Sequence, residues 1–195
     1  MAKAAHAVAM VEDTMQLGDI PVIPDLSSFV EDEITPFENG WYKATIQAQR
    51  SFTDKTGNDR VFESNDEPAM RSGRNIRLQV EVTRASDGRK LNISWLINYN
   101  PDDLTQATIN AVTARKEETG GEYGDLFRAY MTLKRLSSIQ AVAGKALTGN
   151  GMGGLDLSSL FGKECFVRVA DDDRDPRYKQ IKDVRPTSRK PKLVL

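Results

Sequence analysis

The sequence predicts a mainly β protein with an α-helical insertion (β+α), and three observations carry that prediction. Apolar and polar residues alternate with a period of two in three separate segments between Gly40 and Tyr99. An Asp87-Gly88 pair, the signal of a tight hairpin, stands between the second and third. After Tyr99 the period changes to about 3.6 residues, that of an amphipathic helix.

Taken in order, residues 1–36 hold no sustained period and are broken by Pro21, Pro24 and Pro36. They are expected to form an extended acidic arm, with one short helix near Ala4 to Met15. From Gly40, "GWYKATIQAQ" places Tyr42, Ala44, Ile46 and Ala48 on one strand face and Trp41, Lys43, Thr45, Gln47 and Gln49 on the other. The connection "TDKTGNDRVFESNDEPAMRSGR" is polar and rich in turn formers, and is expected to be a long loop of functional or mobile character. Its candidate contact residues are Arg60, Phe62, Arg71 and Arg74, although Ser51 to Arg74 holds five acids against four bases.

The second strand, "NIRLQVEVTR", sets Ile76, Leu78, Val80 and Val82 against Arg77, Gln79, Glu81 and Thr83. The third, "KLNISWLINY", sets Leu91, Ile93, Trp95, Ile97 and Tyr99 against Lys90, Asn92, Ser94 and Asn98. Helices follow in "NPDDLTQATINAVTARKEE" and in "GEYGDLFRAYMTLKRLSSIQAVAG", where Leu126, Tyr130, Leu133, Leu136, Ile139 and Val142 form a core stripe. Leu155 to Leu160 reads as a short helical turn. Cys165, Val167 and Val169 give the inner face of a fourth strand, with Phe166 and Arg168 opposite, and Tyr178 to Val184 give a fifth.

Composition narrows the chemistry. The 195 residues contain one cysteine and one histidine, Cys165 and His6, so a Cys/His zinc site within one chain is excluded and a histidine-dependent triad is not expected. Cys165 lies in an apolar strand pattern and is expected to be a buried hydrophobe. No apolar run approaches the roughly 18 residues that span a bilayer, and the N-terminal residues lack a secretory pattern, so a cytoplasmic protein without a membrane partner is expected. Residues 1–39 carry one Lys against eight acids, a net of minus 7; with the chain at minus 1, the remainder carries plus 6. Such asymmetry marks an acidic tail beside a domain that favours polyanions.

Two motifs tempt. Gly149, Gly151 and Gly154 match G-x-G-x-x-G, but the dinucleotide motif needs a strand before it and a helix after it, whereas this run follows a helix and is expected to be a connector. The acidic run Asp171 to Asp175 offers metal-binding carboxylates, yet Arg174 lies within it, and a charged turn between edge strands explains it better. No metal or cofactor is expected.

The recurring pattern across strands is more informative. Pairing the first three in the obvious register gives an outer face of Trp41, Lys43, Thr45, Gln47, Gln49, Arg77, Gln79, Lys90, Asn92 and Ser94, to which only Glu81 brings negative charge. Five strands with helices after the third is the order of an oligonucleotide-binding (OB) barrel, which holds nucleic acid on that face and in the loop between its first two strands. The expected architecture is a five-stranded OB-like barrel with helices after strand three, in residues 37–187, between the arm at 1–36 and a basic tail at 188–195. Cations would track phosphates and aromatic rings would stack on bases.

The segments "NGWYKATIQAQRSFTDKTGN", "NIRLQVEVT" with "GRKLNISWLINYN", and "LSSLFGKECFVRVADDDRDPRYKQIKDVRP" resemble phage-encoded single-stranded DNA-binding proteins over about residues 36–187. The shared late elements are Leu160, Gly162, Lys163, Val184 and Pro186. The resemblance implies an OB-like fold that coats single-stranded DNA in phage replication, recombination or repair, without catalysis. One departure is that bacterial single-stranded DNA-binding proteins end in an acidic tip, whereas here the acids are N-terminal and the C-terminal segment is basic. The arm is therefore expected to take over partner recruitment or to compete with DNA.

The expected partner is single-stranded DNA, with replication or recombination proteins and a second copy of the chain as further possibilities. The expected contacts are Trp41, Lys43, Gln47, Arg60, Phe62, Arg71, Arg74, Arg77, Lys90, Phe166 and Arg168. Two rivals remain: a protein-interaction module serving replication factors, and a metal-dependent nuclease built on Asp171, Asp172, Asp173 and Asp175.

Overall fold

The computed structural model describes residues 36–70 and 72–194, and residues from Phe37 onward pack as one unit. The acidic arm other than Pro36, its expected helix, and the candidate contact Arg71 lie outside the described residues.

The described residues form eight strands and two α-helices: β1 (Gly40–Gln47), β2 (Gln49–Thr53), β3 (Asp59–Glu63), β4 (Asn65–Pro68), β5 (Arg74–Thr83), β6 (Lys90–Tyr99), α1 (Gln106–Thr119), α2 (Phe127–Ala143), β7 (Glu164–Asp171) and β8 (Lys179–Pro186). Every strand pairing is antiparallel. One edge of β5 pairs with β6 along its whole length; its other edge is shared, with β4 beside Arg74–Arg77 and β1 beside Gln79–Thr83. β7 lies on the far side of β1 and β8 beyond it, so the order is β6-β5-β1-β7-β8. Gly88 sits at φ 72° in the β5–β6 turn, the left-handed conformation for which Asp87-Gly88 was diagnostic.

Two expectations need correction. The sheet has six strands rather than five, and among the described residues no hydrogen-bonded ladder closes it. The connection after the first strand is not a structureless loop but the β2–β3 hairpin followed by β4. It escaped because each of these strands has at most two large apolar residues and none buries a face, so the hydrophobic alternation that betrays a half-buried strand is absent.

The inner face follows the predicted parity except at Ala48, which is exposed because β1 ends at Gln47 and the chain breaks from the strand there. Tyr42, Ala44, Ile46, Ile76, Leu78, Val80, Val82, Ile93, Trp95, Ile97, Cys165, Val167 and Val169 form one core with Leu136, Ile139 and Val142 of α2. Burial pushes the Cys165 thiol up to about 12, which leaves it an inert core residue. α2 thus covers the inner side, against β6 and β8. α1 has only one fully buried residue, Val112, because its sequence carries no apolar stripe.

At the β4 end of the sheet the side chain of Asp66 is wholly buried and faces Arg74 at 2.9 Å. Asp66 also accepts hydrogen bonds from the Tyr99 hydroxyl and the Leu155 amide, both at 2.6 Å. Gly154 lies against this pair, and a Cβ there would run into the Arg74 guanidinium. Gly154 is therefore required by packing, and Asn150 Oδ1 accepts from the amides of Met152 and Gly154.

Candidate nucleic-acid interface

The outer face is continuous across five strands. Its register rows run Ser94–Gln79–Gln47, Asn92–Glu81–Thr45–Glu164, Lys90–Thr83–Lys43–Phe166–Arg185 and Trp41–Arg168–Asp183. Because the parity of each strand sends these side chains away from the core, polar groups from β6 to β8 share one surface.

That surface is less cationic than the sequence implies. Glu164 holds Lys43 at 2.6 Å, Glu81 holds Lys90 at 2.8 Å, and Glu67, brought in by β4, holds Arg77 at 3.4 Å. Counting only Glu81 on this face overlooked Glu67, Glu164 and Asp183, which strand pairing delivers there. Arg168 is exposed and makes no ion pair with a described residue. Trp41 is half-buried, and the Arg185 guanidinium lies 4.4 Å from its ring centroid, so one ring face is occupied. Phe166 is only 7% exposed, and as it stands its ring is not open to a base. Arg74 points inward to Asp66 and serves the fold. Gln47 is half-buried; its carbonyl accepts from Ser64 Oγ, which in turn accepts from the Gln79 amide. This β3–β4 link covers Gln79, 1% exposed, whose Oε1 accepts from Ser94 Oγ.

The strongest cluster lies on the β2–β3 hairpin. The register pairs Arg50 with Phe62 and Phe52 with Arg60, which puts two cations and two rings on one hairpin face. Phe52 and Phe62 stack at 5.1 Å with an interplanar angle of 15°, and the Arg50 guanidinium lies 5.6 and 5.4 Å from their centroids. The rings are 37% and 38% exposed. Arg60 is tied to Asp54 at 3.0 Å, in the turn, and hydrogen bonds from Thr56, Arg60 and Asn58 hold the Asp54 carboxyl down at about 2. Arg50 donates through Nη1 to the Asn92 carbonyl of β6 at 3.2 Å, and its Nε is buried without a partner among the described residues.

Arg50 thus draws the hairpin toward the outer face. Between them lies a groove of about 530 Å³ lined by Thr45, Gln47, Gln49, Ser51, Glu81 and Asn92, with Arg50. Arg50 and Phe52 went unremarked in the sequence. The signal was present in "QRSFT" and "DRVFE" on either side of "DKTGN", where Arg and Phe alternate at a spacing of two.

The acidic run is the β7–β8 turn. Asp171 bonds Lys179, Asp173 bonds Lys182 and Asp175 bonds Arg177, each pulling its carboxyl below the ordinary range, while Asp172 accepts from the Arg174 amide. No group of three or more metal-ligating side chains converges among the described residues, and no helix among them is long and apolar enough to cross a membrane. No family model matches the chain, and no curated protein matches it.

Proposed function

We propose that this protein binds single-stranded DNA through the β2–β3 hairpin and the adjoining outer face, with little sequence preference and without catalysis, in phage replication, recombination or repair. The observation that carries the proposal is the exposed Phe52–Phe62 stack with Arg50 over both rings, beside a polar groove. Bases of any identity offer a π-face to such rings, each stack contributing roughly 1–3 kcal/mol, and the guanidinium suits a neighbouring phosphate. Gln, Asn, Ser and Thr lining the groove suit sugar and phosphate oxygens.

The strand order supports the same reading. The order β6-β5-β1-β7-β8 is that of an OB barrel opened between its third and fifth strands, and β6 and β8 come close to one another. The hairpin then occupies the loop between the first and second barrel strands, one of the places where such barrels hold oligonucleotides. Against the nuclease alternative, three of its four acids, Asp171, Asp173 and Asp175, are paired with Lys179, Lys182 and Arg177.

The test is a fluorescence titration with oligo-dT at several salt concentrations, with and without Mg²⁺. Saturable binding that weakens as salt rises, with the oligonucleotide intact, is expected. Absence of binding at low salt would defeat the proposal.

A further inference from the structure

A second surface lies on the helical side, remote in chemistry from the hairpin. A groove of about 620 Å³, within the range of ligand pockets, runs between α1, α2 and the segment leading to β7. Its walls are Leu104, Ile109, Leu133, Leu147 and Leu155, all only partly buried, and the ring of Tyr130 stacked on Tyr123 at 3.8 Å. The groove is open because α1 has too few apolar residues to seal it against α2. Its concave shape leaves room for further apolar side chains to pack against these partly buried residues.

Its charges select the occupant. Lys116 from α1 and Lys134 from α2 line the groove, both exposed and neither ion-paired to a described residue, and the lining includes no acid. We infer that this groove docks a segment of a partner protein that combines large apolar side chains with carboxylates, the apolar groups entering between α1 and α2 and the carboxylates meeting Lys116 and Lys134. Apolar burial would supply affinity, and the lysines would set orientation and reject basic segments.

A fluorescein-labelled peptide, Asp-Leu-Asp-Asp-Phe-Leu, titrated by fluorescence anisotropy against the full chain, tests this. Micromolar binding is expected, weakened tenfold or more by the double substitution Lys116→Glu and Lys134→Glu, whose exposed positions leave the melting temperature unchanged. Replacing the peptide's Asp with Lys should weaken it similarly, and oligo-dT should not displace it. Three outcomes would overturn the inference: no binding, equal binding by the charge-reversed variant, or equal binding of a peptide with Gly in place of Leu and Phe. Self-association in sedimentation that Leu133→Lys abolishes would also overturn it, by assigning the groove to a second copy of the chain.

Discussion

Asp66 shows at the level of one residue how the fold limits which cations can reach a ligand. Its carboxylate is fully buried and receives the Arg74 guanidinium, the Tyr99 hydroxyl and the Leu155 amide. Removing one member of a buried pair leaves the other charged and unsolvated, so Asp66→Ala should lower stability by about 3–5 kcal/mol in urea unfolding. Tyr99→Phe should cost about 1.5–3 kcal/mol, the worth of a hydrogen bond to a charged group. Asp87, in the β5–β6 turn, gives a pH signature. Its hydrogen bond from Arg84 lowers its carboxyl from 3.8 to about 2 in the folded state. A depressed folded value means that the stabilisation is complete above 3.8 and is lost as pH falls toward 2. Thermal melts should therefore show Asp87→Asn less stable than the parent at pH 7, with the difference vanishing near pH 2.

Among the elements, the β2–β3 hairpin is the one whose composition makes little sense as structure. All ten of its strand residues but Arg50 are exposed, so its two phenylalanines contribute little to the core. Short two-stranded hairpins are marginal in isolation, and this one is fastened by Arg50 to β6 and by the Ser64 amide to the Ala48 carbonyl. Phe52→Ala and Phe62→Ala should each weaken oligo-dT binding by about thirtyfold, the middle of the stacking range, with no change in melting temperature. A loss of affinity that tracked a loss of stability would instead assign the rings a packing role.

Across the whole molecule, the outer face is partly neutralised by its own acids. Lys43, Lys90 and Arg77 each face a glutamate, and exposed pairs of this kind are worth only about 0–1 kcal/mol to the fold. A phosphate can compete for such cations, at the cost of displacing the carboxylate. Glu164→Gln and Glu81→Gln together should therefore leave stability nearly unchanged, tighten oligo-dT binding at low salt, and steepen the salt dependence by about 0.7 in log–log slope for each cation released. Isothermal titration at four or five salt concentrations reads both effects; an unchanged slope would place the DNA path away from Lys43 of β1 and Lys90 of β6.

The sequence by itself determined the mainly β class, the inner faces of four strands, the Asp87-Gly88 turn and the positions of both helices, because each depends on periodicity or on local turn chemistry. Tertiary structure alone decided which outward side chains are usable. Arg74 and Phe166 share the outward or polar pattern of Arg168, yet one is held by Asp66 and the other is buried, since burial and ion pairing depend on residues far away in the chain. The Arg50–Phe62 and Phe52–Arg60 pairs likewise become one surface only when β2 and β3 adopt their register, and that register is fixed by the hairpin turn and the hold of β6 rather than by any hydrophobic stripe.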